Sequence, residues 1–320
     1  MLPRASRTLA RAEYLIFGED VDDSVDSVAW PLGLKKLVFG PCFRCPIEHV
    51  SWPDSLLRLT FPAFFNQPID RVTWPTSLQQ LTFESCFGGS SIGFFDQPIV
   101  GITWPVSLQN LTLGGDFNHP IDGVVWPVSL QHLTLGGKFN QPIDGISFPP
   151  SLKEITIGCN FDQPVAGVTW PVSLEQLTLG GFGYPIDEVL WPASLRELTL
   201  CDLFDHPIDE VAWPASLQQL TLGDLFDQPI DEVVWPVSLQ KLVMGSEFNH
   251  PIDGVAWPAS LRELTLGKVF RQPIYWVGWP ASLQKLTVGV MVEVGDEDEW
   301  PFLLEHLTLL CDEDSSIDEF

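Results

Sequence analysis

Lysine and arginine are scarce in this chain: 16 of 320 residues, against 42 aspartates and glutamates, leave a formal net charge of −26. So acidic a surface repels phosphate backbones and anionic lipid, so neither nucleic acid nor a membrane surface is expected as a partner. Cysteine is also rare, and six residues over this length make no disulfide framework. Cys42-Phe-Arg-Cys45 is a CxxC with no second pair in the chain, half of what a four-ligand zinc site needs. No apolar run approaches the ~20 residues that span a bilayer. Met1 to Arg11 carries arginines without an apolar core and cleavage site, so no secretory signal is read and a cytoplasmic or nuclear location is expected.

What the chain has in abundance is apolar residues, 45%, which excludes a disordered polymer despite the charge, and one recurring phrase. Trp-Pro begins at Trp30, Trp52, Trp74, Trp104, Trp126, Trp170, Trp191, Trp213, Trp235, Trp257, Trp279 and Trp300, with Phe148-Pro149 taking one place. Nine of the twelve intervals are 22 residues, two are 21 and one is 30. A fixed period of that length means a solenoid, in which each unit buries its apolar side only by stacking on its neighbours. Within one unit, Ile69, Val72 and Trp74 follow the spacing φxxφxφ, and Leu78, Leu81 and Phe83 repeat it. A step of two places both members of a pair on one face of an extended strand. Of the 28 prolines, 24 follow the Trp (or Phe148) or precede an Ile or Val. Proline lacks the ladder donor and marks strand edges and corners. The expected fold is mainly β: a parallel solenoid of about 13 coils with two short strands per coil and little helix. Gly114, Gly136, Gly158, Gly180, Gly223, Gly245, Gly267 and Gly289 follow the second strand, where a positive φ is expected of them.

Residues 1–29 read as a degenerate first coil or cap, because Leu15, Phe17, Gly18, Val25 and Val28 lie 22 before Leu37, Phe39, Gly40, Ile47 and Val50. The solenoid proper runs over 30–310, and the long interval places a loop insertion at 84–95. Loops inserted into solenoids often lie on a functional face. Asp296 to Glu299 and the 311–320 tail are acidic, and the tail is read as solvated.

The phrases Phe65-Asn-Gln-Pro-Ile69, Phe117-Asn-His-Pro-Ile121, Phe139-Asn-Gln-Pro-Ile143 and Phe248-Asn-His-Pro-Ile252, each followed by Pro-x-Ser-Leu-x-x-Leu (Ile155 at the last place in the third), resemble FNIP repeats. The unit is also similar to leucine-rich repeats of the bacterial surface-antigen type. The resemblance implies a leucine-rich-repeat-like solenoid that binds other proteins. In that family the repeats often follow an F-box, which implies substrate recognition for a ubiquitin ligase. The segment ahead of residue 30 is too short for an F-box, so here that role would need a separate adaptor.

Function in a solenoid is sought column by column. Two outward positions ahead of the second Leu vary most: Arg196/Glu197, Gln218/Gln219, Gln240/Lys241, Arg262/Glu263 and Gln284/Lys285 in the later coils. In leucine-rich repeats the corresponding positions form the binding face, and the resemblance places a protein-binding surface here. Tyr275-Trp276 replaces an Asp-Gly or Asp-Glu pair in one coil, and exposed Tyr and Trp are frequent binding anchors. Asp187-Glu188, Asp209-Glu210 and Asp231-Glu232 form a carboxylate ridge whose repulsion a basic partner or calcium would relieve. A Thr column from Thr60 to Thr308 is similar to the arrays of ice-binding solenoids, but the two-column Thr-x-Thr pattern is missing. No cofactor is expected, and no catalytic constellation stands outside the repeat grammar.

Overall fold

The computed structural model describes residues 11–84, 94–289 and 303–310. The expectations placed on 85–93, on Asp296–Glu299 and on the 311–320 tail fall outside those residues. The chain divides into two units, residues 1–163 with 168–174, and residues 164–167 with 175–320. The first carries β1 (Tyr14–Ile16), β2 (Lys36–Val38), β3 (Arg58–Phe61), β4 (Gln80–Phe83), β5 (Asn110–Thr112), β6 (His132–Leu135) and β7 (Glu154–Ile157). The second carries β8 (Gln176–Leu179), β9 (Glu197–Leu200), β10 (Gln219–Thr221), β11 (Lys241–Val243), β12 (Glu263–Thr265), β13 (Lys285–Gly289) and β14 (His306–Leu310). Within each unit every strand pairs in parallel with the next in sequence, and among the described residues no helix crosses between them. This is a parallel β-solenoid.

The register is like on like. Leu59 pairs with Leu81, and Thr60 with Thr82. Across the 30-residue interval Leu81 still meets Leu111, so the insertion leaves the frame intact. Burial alternates along the strands: in β9, Leu198 and Leu200 are buried while Glu197 and Thr199 are half-exposed. The period-two pattern thus fixes which side chains face the core and which face outward.

One strand forms per coil, not two. The Asp-x-Val-x-Trp stretch makes no ladder, because tight turns consume it on both sides. In one coil Phe117 N–H donates to Gly114 O (3.1 Å), Val124 N–H to Ile121 O (3.2 Å) and Leu130 N–H to Pro127 O (3.0 Å). Three turns of four residues each leave room for one short strand, and the proline after each Trp has no N–H to offer a ladder.

The core is built from columns of identical residues. Phe117 stacks on Phe139 with centroids 6.0 Å apart and rings within 2° of parallel, and Phe204 on Phe226 likewise. Such pairs contribute about 0.5–1.5 kcal/mol beyond the area they bury. Phe148, the one replacement for Trp, stacks on Trp170 at 6.3 Å and 7°, so the substitution keeps the column continuous. The buried indole N–H groups of Trp52, Trp74, Trp104, Trp126 and Trp235 have no acceptor among the described residues, which explains why a phenyl ring serves in their place. Polar side chains stitch coil to coil. Ser129 Oγ donates to Leu108 O (2.7 Å), and Ser238 Oγ to Leu217 O (2.6 Å). Asn118 Oδ1 accepts from the Asn140 N–H (2.9 Å) and from Gln141 Nε2 (3.0 Å), repeating what Asn66 does for Asp96 and Gln97.

The glycines after the strands do not take positive φ. That conformation occurs instead at Gly101, Gly123 and Gly145, in the turn after Pro-Ile, with φ of 84°, 79° and 72°. After the strand, glycine answers a different demand. A methyl group on Gly136 would fall on the carbonyl of Gly114, and one on Gly245 on the carbonyl of Gly223. At these glycines the neighbouring coil's backbone approaches too closely for a Cβ.

Candidate functional site

Ten of the twelve residues singled out from the sequence lie on the strand face of the second unit. Each coil enters its strand by the same device, in which two consecutive N–H groups share one carbonyl of the coil before. Gln240 and Lys241 both donate to Gln218 O (2.8 and 3.0 Å), and Arg262 and Glu263 both donate to Gln240 O (2.8 and 2.9 Å). That double bond fixes the backbone beneath both outward side chains, so the varied residues project from a rigid support. The ladder then sets their neighbours: Glu197, Gln219, Lys241, Glu263 and Lys285 follow one another across β9 to β13.

These neighbours pair unequally. Gln219 Nε2 donates to Glu197 Oε1 (3.1 Å), and Lys285 Nζ lies 2.9 Å from Glu263 Oε1. Both members of the latter pair are well exposed, so the bridge contributes at most about 1 kcal/mol. Lys241, Arg262 and Arg196 make no ion pair among the described residues. Gln218, Gln219, Gln240, Lys241, Arg262, Glu263 and Gln284 enclose an open polar cavity of about 390 Å³. Arg196, Glu197 and Lys285 flank it, so the structure gathers this set into one surface.

Tyr275 and Trp276 are not part of that surface. They sit in the turn closed by Val277 N–H to Ile274 O, where Asp253 and Gly254 sit one coil earlier. The rings meet edge to face at 5.6 Å, and Trp276 is 75% exposed. The ridge residues Asp187, Glu188, Asp209, Glu210, Asp231 and Glu232 occupy the equivalent turns and are all exposed. Among the described residues no three His, Cys, Asp or Glu side chains converge on a point where they could share a metal ion. Calcium on the ridge therefore has no geometric support.

The residues that look reactive in sequence have structural employment. Cys45 Sγ donates to Asp22 O (3.3 Å), and burial together with the Asp22 carboxylate pushes its thiol above the ordinary range, the opposite of what a nucleophile needs. His206 and His250 bond Gly183 O (2.8 Å) and Asp227 O (2.9 Å), the position that Gln141 fills against Asn118 O. The sequence placed Phe94 in the 84–95 insertion but did not single out the residues it meets, an exposed cluster in the first unit. Phe64 stacks on Phe94 at 5.0 Å, and the Arg44 guanidinium lies 5.4 Å above Phe64. The doubled aromatics Phe64-Phe65 and Phe94-Phe95 were its signal, since the core takes only the second of each pair.

Fold and site together define a leucine-rich-repeat-type solenoid. Residues 95–138, 117–160, 139–182 and 226–269 match the FNIP Repeat family. Among solved structures the chain is similar to CroV588, described as a novel circular LRR protein, at 32% identity and a TM-score of 0.68. That alignment covers 94% of this chain and 50% of CroV588, so the chain spans about half the length of that protein. An internalin, InlF of Listeria monocytogenes, shares the fold at 14% identity and a TM-score of 0.53, covering 95% of this chain and 88% of the internalin. No curated protein matches the chain.

Proposed function

We propose that the protein is a non-catalytic interaction scaffold that recognises a protein partner on the strand face of β9 to β13. The observation that carries this reading is the convergence of the variable residues. The frame positions Leu, Phe, Pro and Ser repeat from coil to coil and are spent on core and coil-to-coil bonds. The strand-start positions vary among Arg, Gln, Glu and Lys from β9 to β13, and seven of the ten line a polar cavity of about 390 Å³. Leucine-rich-repeat folds commonly serve as interaction scaffolds, and a rigid solenoid presents such residues at little cost in ordering entropy.

A photoreactive side chain in place of Gln240 tests the reading, with one in place of Val237, exposed in the preceding turn, as the control. In extract of cells that make the protein, irradiation is expected to yield a discrete crosslinked partner from position 240 and none from 237. Equal crosslinking from both positions, or none from 240, would overturn it.

A further inference from the structure

We infer that the occupant of this face is an extended acidic protein segment, one carboxylate of which is held between Lys241 and Arg262. The inference rests on the scaffold reading and specifies the chemistry of the partner.

Charge on the second unit is segregated. Arg196, Lys241, Arg262 and Lys285 are four of its six lysines and arginines, the others being Lys268 and Arg271. The acidic ridge, by contrast, stands in the turns after Pro-Ile. Within the strand face the local carboxylates are already engaged: Glu197 by the Gln219 amide and Glu263 by Lys285. Lys241 and Arg262, on adjacent coils and both lining the cavity, are left without a counter-ion among the described residues. A cation pair beside satisfied carboxylates calls for an anion, and the planar fork of Arg262 favours a carboxylate bound through two parallel bonds.

The cavity also favours a peptide over a free ion. It is open and is lined from four successive coils, Gln218, Gln240, Arg262 and Gln284. At ~4.8 Å per strand this is a track of roughly 14 Å, the reach of about four extended residues at ~3.3 Å each. The side-chain amides of Gln218, Gln240 and Gln284 each offer both a donor and an acceptor, the complement of a peptide backbone. The whole molecule, at −26, repels an acidic segment at long range. Recognition therefore depends on contacts inside a Debye length of ~8 Å, which makes these few cations decisive.

Selection of a random-peptide display library on the intact protein tests this, with affinities of the selected peptides read by fluorescence anisotropy. Two variants accompany it: Lys241→Glu with Arg262→Glu, which reverses the charge, and Gln240→Trp, which fills the cavity without changing it. Matching melting curves check that both fold like the parent. The expected result is peptides rich in Asp and Glu, weakened roughly tenfold or more by the charge reversal and also lost on Gln240→Trp. Peptides blocked by Gln240→Trp but neither acidic nor sensitive to the reversal would overturn the inference and leave the scaffold reading standing. Peptides indifferent to Gln240→Trp, or no peptide selected, would overturn both.

Discussion

Alanine substitutions at Gly136 and Gly145 are expected to differ sharply, although both replace a glycine in one coil of the first unit. At Gly145, φ is +72° and a new Cβ would meet no atom within 4 Å. The cost is then the left-handed conformation alone, about 1–2 kcal/mol. The lower entropy of the unfolded chain returns about 0.4–1 kcal/mol of that. A net loss near 1 kcal/mol follows. At Gly136 the new methyl would overlap the Gly114 carbonyl and crowd the carbonyl carbon of Gly115 at 3.1 Å. All these atoms are backbone, so no side chain can swing away, and relief requires one coil to move against the next. Overpacking of that kind costs about 1–3 kcal/mol or more. Moving the coil also strains the Phe117–Phe139 stack and the Phe139 N–H to Gly136 O bond of 3.1 Å. A loss of at least ~3 kcal/mol is expected. Urea denaturation followed by tryptophan fluorescence measures both variants against the parent. Equal midpoints for the two would refute the close-approach argument, and a milder Gly136→Ala would reverse it.

Asn118→Ala removes the oxygen that accepts from Asn140 N–H and Gln141 Nε2, with a loss of about 1 kcal/mol expected in the same assay. Asn118→Asp should be nearly neutral, because Asp205 Oδ1 already accepts from Asp227 N–H and Gln228 Nε2 at the same corner. Equal losses for the two would show that the oxygen is not what matters. Burial pushes the Glu84 carboxyl above its ordinary range, so the folded protein holds that proton more tightly than the unfolded chain. Its favourable contribution is complete below the unfolded value of about 4.3 and is lost as pH rises through the higher folded value. Glu84→Gln should therefore raise the melting temperature at pH 7 and show no gain near pH 4, and a gain independent of pH would contradict the assignment.

How far the sequence reveals such a molecule depends on whether a residue's role is set along the chain or across it. The coil period, the core leucines and phenylalanines, and the Asn corner follow from spacing alone, because in a parallel stack each residue's neighbour is its own counterpart 22 positions away. The strand count did not follow. Val72-Thr-Trp74 and Leu81-Thr-Phe83 share one spacing, and what separates them is hydrogen bonding: the Ile69–Val72 turn and the missing N–H of Pro75 deny the first a ladder. Glycine was ambiguous for a related reason. Gly145 and Gly136 look alike in sequence, yet one is demanded by its own φ and the other by the carbonyl of a different coil. The strand face of β9 to β13 shows the same limit at a finer scale. Register alone puts Glu263 between Lys241 on one side and Lys285 on the other. The carboxylate closes to 2.9 Å on Lys285 and makes no ion pair with Lys241. Columns therefore predict which charges are neighbours, but a single carboxylate between two ammonium groups has to be shared or surrendered. The cation left over is legible only when side chains are placed in space.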